Sequence, residues 1–102
     1  MRYCFDIDGT ICNTNCDYRD AKPYQKVIDW INKKYKDGHH IQFFTSRGTL
    51  SGKDWTEFTK NQLAEWGVFY HELTLGKPHF DLFVDDKCLN NEDWYNSEGL
   101  EV

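Results

Sequence analysis

The sequence lacks any apolar run that approaches the roughly 20 residues of a membrane-spanning helix, and its first residues, MRYCFDIDG, show no signal-peptide pattern. We therefore expect no membrane association and, by default, a cytoplasmic location. Positive charge is also scarce, because 12 basic residues face 17 acidic ones and the formal net charge is −5. This balance disfavours nucleic acid as a partner, and an anionic substrate would need locally concentrated positive charge.

The cysteines are poorly arranged for cross-links or for zinc. There are four: Cys4, Cys12, Cys16 and Cys88. Without a secretory signal, a reducing compartment is the better context, so we interpret them as free thiols. A zinc site that joins Cys12 and Cys16 to His39 and His40 is disfavoured, because the cysteine spacing is loose and no second close pair of ligands follows.

Apolar runs alternate with helical patterns along the chain, which at 102 residues has room for one domain, residues 1–102. We predict strands at residues 2–7 and 40–45, a third within 68–76 and a fourth at 81–86. The first helix is predicted to begin at Pro23 and to end at Gly38. A capping box of Asp54 and Glu57 would begin the second helix, which Gly67 ends.

Alternating strands and helices predict an α/β fold with a parallel sheet and right-handed crossovers. Three of the four apolar runs end in polar residues: Asp6 and Asp8; Thr45, Ser46 and Arg47; Asp85 and Asp86. The carboxyl ends of parallel strands share one edge of the sheet, where ligands bind. The sequence therefore predicts one polar crevice at that edge.

The chemistry of this crevice follows from its charges. Asp6 and Asp8 are two residues apart and would repel each other unless a positive group lay between them. The arrangement therefore suggests a site for a metal ion, a phosphate group or both. Mg²⁺ suits a site of few carboxylates, water and a phosphate oxygen. One carboxylate could then attack phosphorus while its neighbour acts as acid and base, and Lys77 and Arg47 would offset the charge of the phosphoryl group.

These residues, taken in order, resemble the motifs of haloacid dehalogenase (HAD) superfamily phosphatases. The DxDGT motif of that family matches Asp6, Asp8, Gly9 and Thr10, and the threonine motif matches Thr45 and Arg47 in FFTSR. The family's lysine matches Lys77, and its final acidic pair matches Asp85 and Asp86. The matches span residues 6–86, which is most of the chain.

The resemblance implies a three-layer α/β/α Rossmann-like core and a role for each matched residue. Asp6 would form an aspartyl-phosphate, and Asp8 would protonate the leaving oxygen and then activate water. Mg²⁺ would be bound by Asp6, the Asp8 carbonyl and one of Asp85 or Asp86. Phosphate binding is expected from the following residues: Gly9, Thr10, Thr45, Ser46, Arg47 and Lys77.

The spacing between the motifs further predicts that the domain has no inserted cap domain. Only 34 residues separate Thr10 from Thr45, and 29 separate Arg47 from Lys77, so neither gap has room for an inserted lid. An open crevice favours large substrates, or closure by another copy of the chain. The segment GKPHFDLFVDDK resembles small phosphatases of capsule or surface-polysaccharide biosynthesis, which implies a sugar or polyol phosphate as substrate.

The sequence also allows other functions and offers further candidate residues for the site. The alternatives are phosphoryl transfer to another acceptor, a nucleotide or polynucleotide phosphatase, and a phosphate- or Mg²⁺-binding regulatory domain without turnover. Tyr18 and Arg19 lie where a leaving group could pass, and His79 follows the proposed lysine. Trp94 is a candidate stacking surface for a sugar, and the many aromatic residues leave self-association as a use of exposed apolar surface.

Overall fold

The computed structural model describes residues 1–102 as three strands and three α-helices, with a short 3₁₀ turn at Tyr18–Asp20. The strands are β1 (Arg2–Phe5), β2 (His40–Thr45) and β3 (Glu72–Leu75). The helices are α1 (Gln25–Lys36), α2 (Thr56–Glu65) and α3 (Asn91–Glu98). None of the helices is long and apolar enough to cross a membrane.

The three strands form one parallel sheet in the order β1-β2-β3. Phe5 lies opposite Phe43, and Phe43 lies opposite Leu73, so apolar side chains line up across one face of the sheet. One helix connects each pair of neighbouring strands. The predicted α/β class with a parallel sheet is confirmed.

The helices cover one face of this sheet. Along β2 the residues Ile41, Phe43 and Thr45 are buried, and the residues between them are partly exposed. All three helices contribute to the same core cluster, through Val27, Ile28, Ile31, Leu63 and Tyr95. The expected third layer is absent, because no helix follows the opposite face, and the fold therefore has two layers.

The predicted fourth strand, residues 81–86, does not form. No helix or strand lies between β3 and α3, and the side chains of Leu82 and Val84 are 79% and 85% exposed. The apolar run is only three residues long between Asp81 and Asp85, and its Phe83 packs on nearby Phe80, at 5.0 Å between ring centres, instead of on the core. As a result, β1 lies at an edge of the sheet and not at its centre.

The first helix begins later than predicted. Pro23 is not its first residue, because the chain there pairs with Cys12 through a single bridge. Tyr24 occupies the N-cap position, without a capping hydrogen bond from its side chain. The predicted end is confirmed, because α1 stops at Lys36 and Gly38 takes a positive φ of 94° that favours glycine.

The predicted capping box of the second helix does not form, because Trp55 and not Asp54 is the N-cap residue and its side chain makes no capping hydrogen bond. The Asp54 carboxylate accepts a hydrogen bond from the Thr56 backbone N–H at 2.9 Å, but Glu57 pairs with Lys60 instead of returning to Asp54. On the inner side of this helix and its end, Leu63 is buried and Trp66 is partly buried against the core. Trp55 lies outside the core cluster and packs on Tyr18, with ring centres 4.9 Å apart.

Sequence patterns did not lead us to predict α3. Its N-cap is Asn90, whose side chain accepts from the Glu92 backbone N–H at 2.9 Å, and Gly99 ends it in the left-handed conformation. Trp94 is therefore not a sugar-stacking surface. Its ring packs on Phe5 and Trp30, at 5.4 Å and 5.0 Å between ring centres.

Candidate active site

Asp6 and Lys77 meet at the carboxyl edge of the sheet. Asp6 follows β1 directly, Lys77 follows β3 by two residues, and the Lys77 Nζ lies 3.7 Å from a carboxylate oxygen of Asp6. The Lys77 backbone N–H also donates to the Thr45 carbonyl at 3.1 Å, which extends the pairing of β2 with β3. The sequence prediction that these two residues share one site is therefore consistent with the geometry.

The surroundings of Asp6 favour its neutral form. Burial raises the pKa of the Asp6 carboxyl above its ordinary value, and the ammonium group of Lys77 opposes this rise only in part. The side chain of Asp6 still exposes 35% of its surface, against 16% for Lys77. A partly desolvated carboxylate that solvent can reach is suited to react with a ligand at this edge.

Asp8 is held by Arg47. The Arg47 Nε and Nη2 each donate to one carboxylate oxygen of Asp8, both at 2.9 Å. This two-point geometry fixes the orientation of the carboxylate as well as its position. The Arg47 side chain is fully buried and that of Asp8 is 21% exposed, so solvent reaches the carboxylate and not the guanidinium.

The contacts of Arg47 therefore differ from those predicted for a phosphate ligand. Its Nη1 donates to the Gln62 side-chain oxygen at 2.8 Å and to the Thr59 hydroxyl at 3.3 Å, and the Tyr18 ring lies 4.7 Å from the guanidinium carbon. The prediction failed because the inner face of α2 carries polar residues. They bind the guanidinium inside the protein and direct it to Asp8.

The loop after β1 uses most of its own backbone donors. The Gly9 N–H donates to the Cys12 carbonyl at 2.9 Å, and the Thr10 N–H donates to the Ile7 carbonyl at 3.0 Å. Gly9 has a φ of 83°, which permits this tight turn. The backbone N–H groups of Gly9 and Thr10 are thus engaged within the loop and do not point to an anion, contrary to the prediction for these two residues.

The two residues that end β2 differ in access. Thr45 is buried, and its hydroxyl accepts from the Arg47 backbone N–H at 3.2 Å. Ser46 is exposed, and its carbonyl accepts from the Thr49 backbone N–H at 2.9 Å. Of the two predicted phosphate-binding hydroxyls, only that of Ser46 faces solvent.

The predicted metal-binding carboxylates do not converge. Asp85 and Asp86 lie in the exposed segment before α3, where the backbone N–H of Lys87 donates to Asp85 at 2.9 Å and holds the pKa of that carboxyl below its ordinary value. No group of three or more His, Cys, Asp or Glu side chains is placed to hold a metal ion. The expected set of Asp6, Asp8, Asp85 and Asp86 is therefore not assembled, since the strand that would carry its last two members does not form.

A buried thiol lies beneath Asp8. The Cys12 Sγ donates to Asp8 Oδ1 over 3.6 Å, and Cys12 is wholly buried. Burial, with the charge of Asp8 beside it, raises the pKa of the Cys12 thiol to about 12. Cys12 thus acts as a neutral donor to the same carboxylate that Arg47 holds. No disulfide joins any of the cysteines.

Two small cavities flank the loop that follows β2. One, of about 180 Å³, is lined by Tyr18, Ser46, Gly48, Leu50, Ser51 and His79. The other, of about 160 Å³, is lined by residues that include Arg47, Lys53 and Asp54. The first cavity brings together Tyr18 and His79, which the sequence placed near the site. Arg19 lies apart from it and forms a two-point ion pair with Asp17 at 2.8 Å.

Several residues of this site escaped sequence analysis. Thr59 and Gln62, three positions apart on α2, occupy the inner stripe where apolar residues are expected, and this anomaly was the available signal. Asn91 and Tyr95 lie on the unpredicted helix α3 and donate to the carbonyls of Gly9 and Thr10. The signals for α3 were Asn90, the acidic first turn and Gly99.

The comparisons with known proteins concern the fold. No protein-family model and no curated protein matches the sequence. The crystal structure of an MCSG target from Vibrio cholerae is similar, with a TM-score of 0.79 and 24% sequence identity over 91% of this chain and 85% of that chain. At this identity the likeness shows a shared fold, and the α/β architecture with a parallel sheet is what the two proteins have in common.

Proposed function

We propose that the protein is a phosphomonoester hydrolase of the HAD type, a phosphatase that forms a covalent aspartyl-phosphate, an acyl phosphate, on Asp6. The observation that carries the proposal is the pair of Asp6 and Lys77, 3.7 Å apart at the carboxyl edge of a parallel sheet. A second carboxylate, Asp8, lies two residues further on and is held in one orientation by Arg47. A nucleophile, a cation and a second carboxyl group at one edge suit phosphoryl transfer.

In the first step, an Asp6 oxygen attacks phosphorus and the bond from phosphorus to the alcohol oxygen breaks. The departing oxygen takes its proton from Asp8 in the neutral form, and Lys77 offsets charge on the phosphoryl group. In the second step, water attacks phosphorus, its proton passes to Asp8, and the bond between Asp6 and phosphorus breaks. Inorganic phosphate leaves and both carboxyl groups return to their starting states.

Arg47 has a defined part in this cycle although it does not contact the substrate. Its fork binds both oxygens of the ionised Asp8 and thereby supports the form that takes a proton from water. The Asp8 side chain is 21% exposed, so solvent still reaches the carboxylate. Arg47 is therefore a positioning residue for Asp8 in the proposed reaction.

The resemblance of the motifs implies a Mg²⁺ ion at this site. When bound, Mg²⁺ would neutralise charge on the phosphoryl oxygens. The residues as arranged do not fit the expected octahedral site, because Asp85 and Asp86 lie in the exposed segment before α3 and no group of three or more His, Cys, Asp or Glu side chains is placed to hold an ion. No step above depends on the ion.

The cavity of about 180 Å³ is our candidate for the leaving-group pocket, because Ser46, which follows β2 at the carboxyl edge of the sheet, lines it, and its lining suits a neutral, hydroxylated alcohol. Ser46 and Ser51 contribute hydroxyl groups, His79 an imidazole and Tyr18 an aromatic ring, and no carboxylate or lysine lines it. Sugars and polyols match such a lining, since they need hydrogen-bond partners and an apolar surface. We therefore propose a sugar or polyol phosphate, with surface-polysaccharide biosynthesis as the setting that the resemblance suggests.

One observation supports a second candidate function, a phosphate-binding domain without turnover. Asp8 accepts two hydrogen bonds from Arg47 and one from Cys12, which suits a fixed structural carboxylate. Self-association is a further proposal, supported by exposed apolar side chains in the segment that follows Lys77: Phe80, Leu82, Phe83, Val84 and Leu89. Sedimentation velocity over a concentration range would test it.

The direct test is phosphate release from a panel of sugar, polyol and nucleotide monophosphates, measured with Mg²⁺ and with EDTA. The proposal expects release that is fastest from a sugar or polyol phosphate, and the comparison of Mg²⁺ with EDTA shows whether the reaction needs the ion that the motifs imply. The control variant Asp81→Asn removes one exposed carboxylate from the segment after Lys77 and should behave as the wild type. Binding of inorganic phosphate without release from any compound would favour the second candidate, and preference for nucleotides would overturn the substrate class.

A further inference from the structure

Helix α3 contacts the loop that carries Asp8. The side-chain amide of Asn91 donates to the Gly9 carbonyl at 2.8 Å, and the Tyr95 hydroxyl donates its one proton to the adjacent carbonyl of Thr10, with the Gly9 carbonyl 3.2 Å away. Asn91 and Tyr95 are four residues apart and so lie on one face of the helix. Two consecutive backbone carbonyls, directly after Asp8, are thus bound by residues more than eighty positions away.

The helix is itself well fixed in this place. Tyr95 exposes only 6% of its surface, and the neighbouring Trp94 packs between Phe5 of β1 and Trp30 of α1. The helix has a side-chain cap at Asn90 and a glycine at its end. An element anchored in the core at Trp94 therefore presents two donors to the loop.

The loop is consequently held from two independent sides. Arg47, which follows β2, binds the Asp8 side chain, and α3 binds the backbone carbonyls immediately after it. Gly9 sits between these anchors with a φ of 83° and has no side chain to restrict it. Without the contacts from α3, rotation at Gly9 would be opposed by fewer bonds, and the Asp8 carboxylate would be less precisely placed.

We propose that Tyr95 and Asn91 are positioning residues for Asp8, so that the C-terminal helix sets the geometry of the acid and base group. The catalytic part of this inference rests on the proposed function. The positioning of the loop after Asp8 by α3 does not rest on the proposed function, because it concerns only how well that loop is ordered. Misplacement of a catalytic group by about 1 Å costs up to roughly a hundredfold in rate, so loss of one donor should be measurable.

The variant Tyr95→Phe tests the inference, because it removes a hydroxyl and keeps the buried ring. We expect faster amide hydrogen exchange at residues 9–12, and kcat about ten- to a hundredfold lower with KM changed little. The matched control is Tyr35→Phe, since Tyr35 is also packed against the core and its hydroxyl makes no hydrogen bond. Asn91→Ala should show the same pattern as Tyr95→Phe.

Each outcome has a defined meaning. Exchange at residues 9–12 equal to that of the wild type would overturn the positioning role of Tyr95, whatever the activity. Faster exchange with unchanged kcat would overturn its link to catalysis. If the wild type releases no phosphate, the proposed function fails, but the exchange measurement still decides whether α3 orders the loop. A fall in kcat that follows only a lower melting temperature, and disappears on cooling, would indicate a merely structural contact.

Discussion

Both carboxylate oxygens of Asp8 accept hydrogen bonds from the single guanidinium group of Arg47, each at 2.9 Å. The arginine is fully buried, and its other bonds go to Thr59 and Gln62 of α2. The pair therefore joins the loop after β1 to the loop after β2 and to the second helix. This one interaction connects the stability of the protein to the placement of its proposed acid and base group.

Removal of Arg47 should be strongly destabilising. We expect Arg47→Ala to lower the free energy of unfolding by about 3–5 kcal/mol, because Asp8 would keep a partly buried charge without its partner. Urea unfolding followed by tryptophan fluorescence measures the change. The matched control is Arg19→Ala, which breaks an ion pair of similar two-point geometry with Asp17 on the exposed surface. A loss for Arg47→Ala no greater than that for Arg19→Ala would contradict the structural role of the buried pair.

The ionised side chain of Asp6 should lower the stability of the folded protein at neutral pH. Its pKa is raised in the folded state, so the folded state is favoured below the ordinary Asp pKa and this contribution is lost as the pH rises through the raised value. Asp6→Asn, which stays neutral, should therefore melt at a higher temperature than the wild type at pH 7. The difference should shrink toward zero below pH 3.8, the ordinary value for Asp.

Thermal melts of the wild type, Asp6→Asn and Asp81→Asn across that pH range would check this sign. Asp81 is exposed, so its variant reports the effect of simply losing one negative charge. A lower melting temperature for Asp6→Asn at pH 7 would mean that the attraction to Lys77 outweighs the cost of burial, which is the opposite of what we infer.

Lys77 should matter for turnover more than for folding. Its Nζ lies 3.7 Å from Asp6 and above the rings of Phe80 and Phe83, at 5.4 Å and 5.6 Å from their centres. Lys77→Met keeps an unbranched chain against these rings but removes the charge, and kcat should fall by about 10²–10³. Lys87→Met, an exposed lysine of the same segment, is the control. Equal activity of the two variants would exclude Lys77 from the reaction.

The cysteines should divide into one protected and three reactive thiols. Cys12 is wholly buried with a pKa of about 12, whereas Cys4, Cys16 and Cys88 are exposed. Alkylation of the native protein should modify three residues, with Cys4 slower because burial raises its pKa above that of an ordinary thiol. Mass spectrometry of native and urea-unfolded samples counts the modified sites. Rapid native modification of Cys12 would show that the loop around Asp8 opens readily.

The sheet and its polar edge were predictable because they depend on local pattern. Apolar runs that end in Asp6 and Thr45, with helical spacing between them, were enough to predict β1, β2 and α1 and to bring Asp6 and Lys77 to one edge. The α/β class was confirmed for the same reason. The roles assigned to Asp6, Asp8 and Lys77 in catalysis stay predictions.

The wrong predictions concern residues whose positions depend on tertiary contacts, and local sequence patterns do not encode these contacts. Leu82, Phe83 and Val84 have strand-like composition, but they are too few to pair and bury a strand in this fold. Arg47 was expected to face a ligand, and the polar residues of α2 that bind it inside became visible only when the helix was packed on the sheet. Trp94 belonged to a helix whose capping signals were overlooked.

The most direct measurement is a search for phosphate on Asp6 itself. The protein would be mixed with its best substrate from the panel, quenched in acid within the first turnover and digested for mass spectrometry. The proposed mechanism predicts a peptide carrying one added phosphoryl group at Asp6, absent from Asp6→Asn, which should also release no phosphate. Full turnover by Asp6→Asn, or a phosphoryl group on another residue, would contradict the assignment of Asp6 as the nucleophile.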